Sequence, residues 1–374
     1  MQIGIDARAA LWYRGSGIGT YTYQLINGML AADPINQYHF VYPPAKWIKA
    51  DDEFQLDSGE RKNRKFWQDV LQTPDLLEPA LDIYHIPQNG IGLPSDCPSR
   101  LKVVVTVHDL IPFVLPQTCS KSYLRTALRQ LPRIVDRADY IIAVSHCTKR
   151  DLVEILGVPV EKIAVIYEAA EPMYSPICKQ EAKEQVVEHY GLEEPYILNV
   201  GGFSRRKNLL GLVKAFHRVL PKLPPNCKLV IAGGGGGGSY EELHEFVDQR
   251  DLADDVLFPG FVPLELMPYL YSGAELFVYP SLYEGFGLPL LEAMACGVPV
   301  VAANTSSIPE VAGNAAILFD PYEPQSLPTA LINGMKNEST REHLIERGFK
   351  QHKRFSWIKT STETQMVYQS LMQD

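Results

Sequence analysis

The sequence predicts an α/β protein of two domains, each a parallel sheet covered by helices on both faces. Three observations carry that expectation. Short β-branched runs bounded by turn residues alternate with helical patterns, the signature of parallel strand–helix units. The runs are apolar nearly throughout, without the alternation expected where one face of a sheet meets water. A length of 374 residues exceeds one ordinary core and suits two of similar size.

In the first half QIGIDAR, YHFVYP, DIYHIP, KVVVTV, YIIAVS and IAVIYE read as strands. A glycine-rich turn, Gly15 to Gly19, and a helix through about Ala31 stand between the first two. In the second half YILNVG, KLVIAGG, VLFPG, ELFVYP, VPVVAA and AILF repeat the pattern, separated by helices near Leu209–Leu220, Tyr240–Gln249, Leu264–Tyr271, Leu288–Ala295 and Pro324–Met335. Residues 170–194 combine prolines with a charged run and read as a link. The expected units are therefore Rossmann-like domains over 1–175 and 190–354, and a tail over 355–374. In the tail Phe355, Trp357, Ile358, Thr362, Met366, Val367 and Leu371 have roughly helical spacing. Ligands of open parallel sheets sit at the carboxyl ends of strands, so a cleft between two facing sheets is the expected site.

Composition narrows the function. With 46% hydrophobic, 21% charged and 10% aromatic residues the chain is globular, neither disordered nor fibrous. A formal net charge of -9 argues against a general electrostatic grip on nucleic acid. Six cysteines without a CxxC pair argue against zinc and against a secreted disulfide framework, and read as reduced thiols. The N-terminus MQIGIDAR lacks a cationic and then an apolar segment, so no signal peptide is expected. The apolar stretch from Leu101 to Leu115 is broken by His108, Asp109 and Pro112 and cannot span a bilayer as a helix. The expected location is cytoplasmic, with attachment to the inner face of the plasma membrane left open.

The most informative stretch runs from Tyr279 through PSLYEGFGLPLLEAMACGVPVV. A strand ends near Pro280, a turn follows, and a helix starts at about Leu288. Gly285 and Gly287 let the backbone approach a ligand, and the helix N-terminus favours a phosphate. Glu284 lies in the turn and Glu292 about one helical turn in; carboxylates suit sugar hydroxyls because they accept directed hydrogen bonds. Glu292 also has a plain reading, as a charge favoured by the helix dipole. In NVGGFSRRKNLLGLVKAF, Lys207 and one of Arg205 or Arg206 could neutralise a diphosphate leaving group, or form a solvated basic turn. GSGIGTY is a poor dinucleotide fingerprint, since no acidic residue closes the second strand, and it lacks the lysine of a P-loop. Gly17 and Gly19 read as a ligand-facing turn or a plain one. His108 follows a buried strand, where a lone histidine is more often structural. Ser145 reads as a helix N-cap, with Thr148 a rival. No Asp-x-Asp sits at a strand end and no histidine pair has metal spacing, so no metal site is assigned and positive groups are expected to serve instead.

The EGFGLPLLEA string resembles the signature of glycosyltransferase family 4, the group 1 glycosyltransferases of GT-B fold, and the resemblance extends over essentially the whole chain. It implies a retaining transferase that moves a hexose from a nucleoside diphosphate sugar to an acceptor hydroxyl on a glycan or a lipid-linked glycan. By the same resemblance Glu284 contacts the donor sugar and Glu292 the ribose. Amides near Phe286, Gly287 and Leu288 meet sugar and diphosphate, Lys207 binds phosphate, and Phe261 and Val262 frame the base. His108 in TVHDLIP looks like the histidine that relatives direct at the sugar, and relatives use the first glycine turn near donor phosphate and acceptor. The family commonly has an arginine where this chain has Gly202, so Arg206 is the expected substitute. Gly233 to Gly238 replace a shorter glycine turn and read as a floppy loop. The tail is implied to return to the first domain. HDLIP and RKN resemble bacterial mannosyltransferases of polysaccharide assembly, a lean to GDP-mannose over UDP-hexoses. An epimerase of similar fold, a glycoside hydrolase and a sugar-nucleotide sensor are the rivals.

One pattern stands apart. Lys121, Arg125, Arg129, Arg133 and Arg137 recur every fourth residue and make one stripe on a helix, with a kink or a fresh turn expected at Pro132. The stripe is either a solvated face or a surface for an anionic membrane or lipid diphosphate.

Overall fold

The computed structural model describes residues 1–12, 15–43, 45–49, 72–77, 79–234 and 238–373. The chain divides into two compact units, Met1–Glu168 with Ser356–Asp374, and Ala169–Phe355.

The first unit is built on strands β1 Gln2–Asp6, β2 Gln37–Tyr42, β3 Lys46–Lys49, β4 Ile83–Ile86, β5 Lys102–Val107, β6 Tyr140–Ala143 and β7 Ile163–Val165, ordered β3-β2-β1-β4-β5-β6-β7. All six expected strands are present. The sequence reading missed β3, which pairs antiparallel with β2 at the edge. It is four residues long and largely exposed, so no buried run announces it. Val103, Val105 and Val107 of β5 pack against Leu131, Ile134 and Leu152 from the helices Lys121–Arg137 and His146–Leu156.

The second unit carries β8 Tyr196–Val200, β9 Lys228–Ala232, β10 Val256–Gly260, β11 Leu276–Tyr279, β12 Val300–Ala303 and β13 Ala316–Phe319, ordered β10-β9-β8-β11-β12-β13. Every pairing is parallel. The segment read as a link is only partly one. Its residues Lys179–Tyr190 form a helix of the second unit, and the division falls at Glu168/Ala169. The net polarity of that helix made it look like linker.

The tail forms a helix, Trp357–Leu371, within the first unit, capped by Ser356 accepting from the Lys359 amide at 3.2 Å. Its buried stripe differs from the expected one: Trp357, Thr360, Ser361, Thr364, Val367, Tyr368 and Leu371 face in, while Ile358 is 73% and Met366 59% exposed. Phe355 belongs to the second unit, edge-on to Phe286. Small hydroxyl residues face in because the tail lies close against the helix Gly17–Ala32. A Cβ on Gly28 would meet Ser361 Oγ at 2.1 Å. The hydroxyl of Tyr368 meets His85 Nδ1 at 2.6 Å, and Thr106 Oγ1 meets the other ring nitrogen at 2.8 Å. Burial brings the His85 pKa down to about 3, so the ring is neutral.

Candidate active site

In the second sheet β8 and β11 are neighbours, with their following connections leaving in opposite directions; such a switch point opens a crevice at the carboxyl ends. After β8 the chain makes a tight turn over Arg205–Lys207, passes Asn208 at φ 52°, and enters the helix Leu209–Val219. After β11 it runs through Glu284 to Gly287 and into the helix Leu288–Ala295. Gly287 has φ 119°, a left-handed conformation that side chains rarely adopt, and it sets the angle at which the helix starts.

The two turns meet at Glu284. Its carboxylate is buried, with Oε1 2.6 Å from Arg206 Nη1 and 2.7 Å from Lys207 Nζ. Lys207 also donates to the Tyr279 hydroxyl at 3.2 Å, and Arg206 to the Tyr283 carbonyl at 3.1 Å. The Leu282 amide donates to the Arg206 carbonyl at 2.7 Å, tying one turn to the other. Burial alone would raise the Glu284 pKa, but Arg206 and Lys207 outweigh it and bring the value to about 2. The group is thus two cations around one carboxylate, an excess positive charge beside a helix N-terminus. Such a group offers net positive charge to an anion.

Glu292 lies in the same helix, where the Tyr271 hydroxyl donates to Oε2 at 2.7 Å. Burial raises its pKa to about 7; the Tyr271 bond opposes the shift and the charge of Glu171 adds to it. Gly285, Phe286 and Leu288 are buried beside this turn. Val262 is buried, but Phe261 at the end of β10 is 47% exposed and no ordinary core residue. A cavity of about 410 Å³ opens at the amino end of β8 around Lys183, Leu192 and Tyr196, the opposite end from this group.

In the first unit Gly17 opens its helix, and the Gly19 amide donates to Ser16 Oγ at 3.3 Å. Tyr21, in the same helix, packs edge-on to His108 at 4.9 Å. His108 has Nδ1 2.8 Å from Glu168 Oε1, and Nε2 donates to the Pro87 carbonyl at 2.7 Å. Burial would lower its pKa, but Glu168 prevails and raises it. Both ring nitrogens are therefore engaged inside this unit. Ser145 is the N-cap, accepting from the Thr148 amide at 3.0 Å, while Thr148 Oγ1 donates to the His108 carbonyl at 3.1 Å. The glycine run lies partly outside the described residues; Gly238 already begins the helix Gly238–Gln249.

The five cations of the stripe are all exposed on the helix Lys121–Arg137, which runs on through Pro132 without ending. Among the described residues none of them is in a salt bridge. No described helix is long and apolar enough to cross a membrane.

Sequence reasoning did not weigh Tyr279, Tyr271 or Glu168. Each is an ordinary residue of a strand end, a helix or a loop, and gains its place only from a partner 21 to 72 positions away.

Two α/β units, each on a parallel sheet and the first with one antiparallel edge strand, have the architecture of GT-B glycosyltransferases. The fold matches that of sucrose-phosphate synthase from Thermosynechococcus elongatus, with a TM-score of 0.76 and 22% identity over 100% of this chain and 99% of that one. Residues 15–172 match the model of Glycosyltransferase Family 4, and residues 180–351 that of Glycosyl transferases group 1. O-antigen chain mannosyltransferase B of Escherichia coli is 33% identical over 98% of this chain and 99% of its own length. Serotype-specific mannosyltransferase WbdA of Escherichia coli is 27% identical over 90% of this chain, which spans 43% of that protein. The chain belongs to the group 1 glycosyltransferases, glycosyltransferase family 4.

Proposed function

We propose that this glycosyltransferase transfers mannose from GDP-mannose to a hydroxyl of a glycan or lipid-linked acceptor, with retention of configuration and without a metal. The observation that carries the reading is the cluster of Arg206, Lys207 and Glu284 beside the Leu288 helix N-terminus. Cleaving the glycosyl–phosphate bond puts negative charge on the diphosphate, and preorganised cations stabilise it as it forms. Mannose is favoured over UDP-linked hexoses by the two mannosyltransferase relatives.

In this proposal Glu284 orients the sugar and holds both cations, while the amides of Gly285 to Leu288 meet sugar and diphosphate. Glu292 accepts from the ribose hydroxyls, and Phe261 and Val262 wall the base. The acceptor attacks the face that the diphosphate leaves, and the departing phosphate oxygen takes the acceptor proton. Gly17 and Gly19 serve the phosphate and acceptor side. His108, its ring fixed by Glu168 and the Pro87 carbonyl, is assigned with Glu284 to orienting the donor sugar. The stripe of Lys121, Arg125, Arg129, Arg133 and Arg137 is proposed to rest on an anionic membrane, where each cation contributes about 1 kcal/mol.

The test is incubation with GDP-mannose or UDP-glucose and a mannose-containing oligosaccharide. GDP release coupled to acceptor elongation, and an α-configured product by NMR, are expected. Turnover with UDP-glucose alone overturns the donor assignment, and an inverted product overturns the mechanism.

A further inference from the structure

The loop bearing Glu284 is gripped from outside by a turn that the charge cluster does not include. Between β12 and the helix Ile308–Ala312, three consecutive hydroxyl residues face it. Thr305 Oγ1 donates to the Leu282 carbonyl at 3.2 Å. The Glu284 amide donates to Ser306 Oγ at 2.9 Å. Ser307, fully buried, lies 2.9 Å from the Glu284 carbonyl and 2.8 Å from that of Phe286, sharing its proton between them. The backbone on both sides of the carboxylate is thus pinned by side chains more than 20 positions away.

The grip has a cost. Ser306 sits at φ 52°, the left-handed region, where a Cβ crowds the backbone and glycine is the usual occupant. Serine differs from glycine there only by the hydroxymethyl group, whose oxygen receives the Glu284 amide. Strain kept at a residue that binds the backbone amide of Glu284 is the pattern expected of a positioning role.

We propose that Ser306, supported by Thr305 and Ser307, is a positioning residue for the transfer reaction. It holds the Glu284 segment so that one carboxylate oxygen stays between Arg206 and Lys207 while charge develops on the leaving group. The inference rests on the donor-site reading above. Positioning that matters in the transition state lowers kcat when lost, whereas uniform binding raises KM.

The experiment compares Ser306→Gly, Ser306→Ala and Ser306→Asn by thermal melting and by kcat and KM for GDP-mannose. Ser306→Gly removes the hydroxyl and relieves the backbone, so it should melt no more than a few degrees below wild type yet lose about tenfold in kcat, with KM changed less than about threefold. Ser306→Ala should lose the same activity and melt lower, because it keeps the strain. Asparagine tolerates the left-handed region and its carbonyl oxygen can accept from the Glu284 amide, so Ser306→Asn should regain most of kcat. A Ser306→Gly enzyme with wild-type kcat, or an asparagine variant as slow as the glycine one, overturns the proposal. If Glu284→Gln is inactive while Ser306→Gly is fully active, only the clamp fails. If Glu284→Gln is itself active, the donor-site reading fails.

Discussion

Replacing Glu284 with Gln removes one charge and almost no volume. In the folded protein the carboxyl pKa stands at about 2 against an ordinary 4.5, a difference that amounts to about 3 kcal/mol favouring the native state. Because the folded value is the lower one, that stabilisation is present above pH 4.5 and is lost as pH falls through about 2. Glutamine forfeits it and withdraws the Glu284 charge from Arg206 and Lys207, only 20% and 13% exposed. Breaking a buried pair in this way costs roughly 3–5 kcal/mol, in agreement. For a unit the size of Ala169–Phe355, a loss of about 3 kcal/mol is roughly 6–12 °C in melting temperature. Transfer should fall at least 100-fold, about 2.7 kcal/mol in the barrier. The assay pairs differential scanning calorimetry with initial rates taken well below the variant's melting point. Adding Lys207→Met to Glu284→Gln should restore part of the lost melting temperature, since one of the two cations that faced the carboxylate is gone, and none of the activity. A Glu284→Gln protein melting within about 1 °C of wild type would falsify the ion cluster. More than a tenth of wild-type activity would show that the carboxylate is dispensable, since tenfold is only about 1.4 kcal/mol.

Glu292 predicts a pH dependence of the opposite sense. Its folded pKa of about 7 exceeds the ordinary 4.5, so its contribution to stability diminishes as pH rises from 4.5 to 7. Ribose hydroxyls are best accepted by the ionised carboxylate. GDP affinity measured by calorimetry should therefore rise between pH 6 and 8, and Glu292→Gln should flatten the profile; an unchanged slope removes Glu292 from the binding site. Activity should persist in excess EDTA, since Arg206 and Lys207 supply the positive charge; loss with EDTA and recovery with magnesium or manganese would assign that charge to a metal. Changing Arg125, Arg129 and Arg133 to Glu should abolish co-sedimentation with phosphatidylserine vesicles, while equal binding of the wild type to neutral and anionic vesicles would leave the stripe a solvated face.

The sequence by itself determined what is local. Twelve strands were legible because each is a continuous apolar run between turn residues. The turns after β8 and β11 were legible because glycines, a helix start and charged residues lie within a few positions of each other. Tertiary structure decided what those residues do to one another. Glu284 and Arg206 are 78 positions apart and meet only because β8 and β11 are neighbours in the sheet. The ring of His108 is held by Glu168, 60 positions on, and by the Pro87 carbonyl, partners that spacing along the chain does not show. The tail's inward face was misread because hydropathy favours Ile358 and Met366, whereas close approach to Gly28 selects small hydroxyl residues. Ser306 carries no signal at all in sequence: only its backbone angle and its bond from the distant Glu284 amide tie it to that turn. Pattern along a chain reports burial and turn chemistry, which neighbouring residues set. Charge pairing and steric fit depend on which elements the fold places side by side.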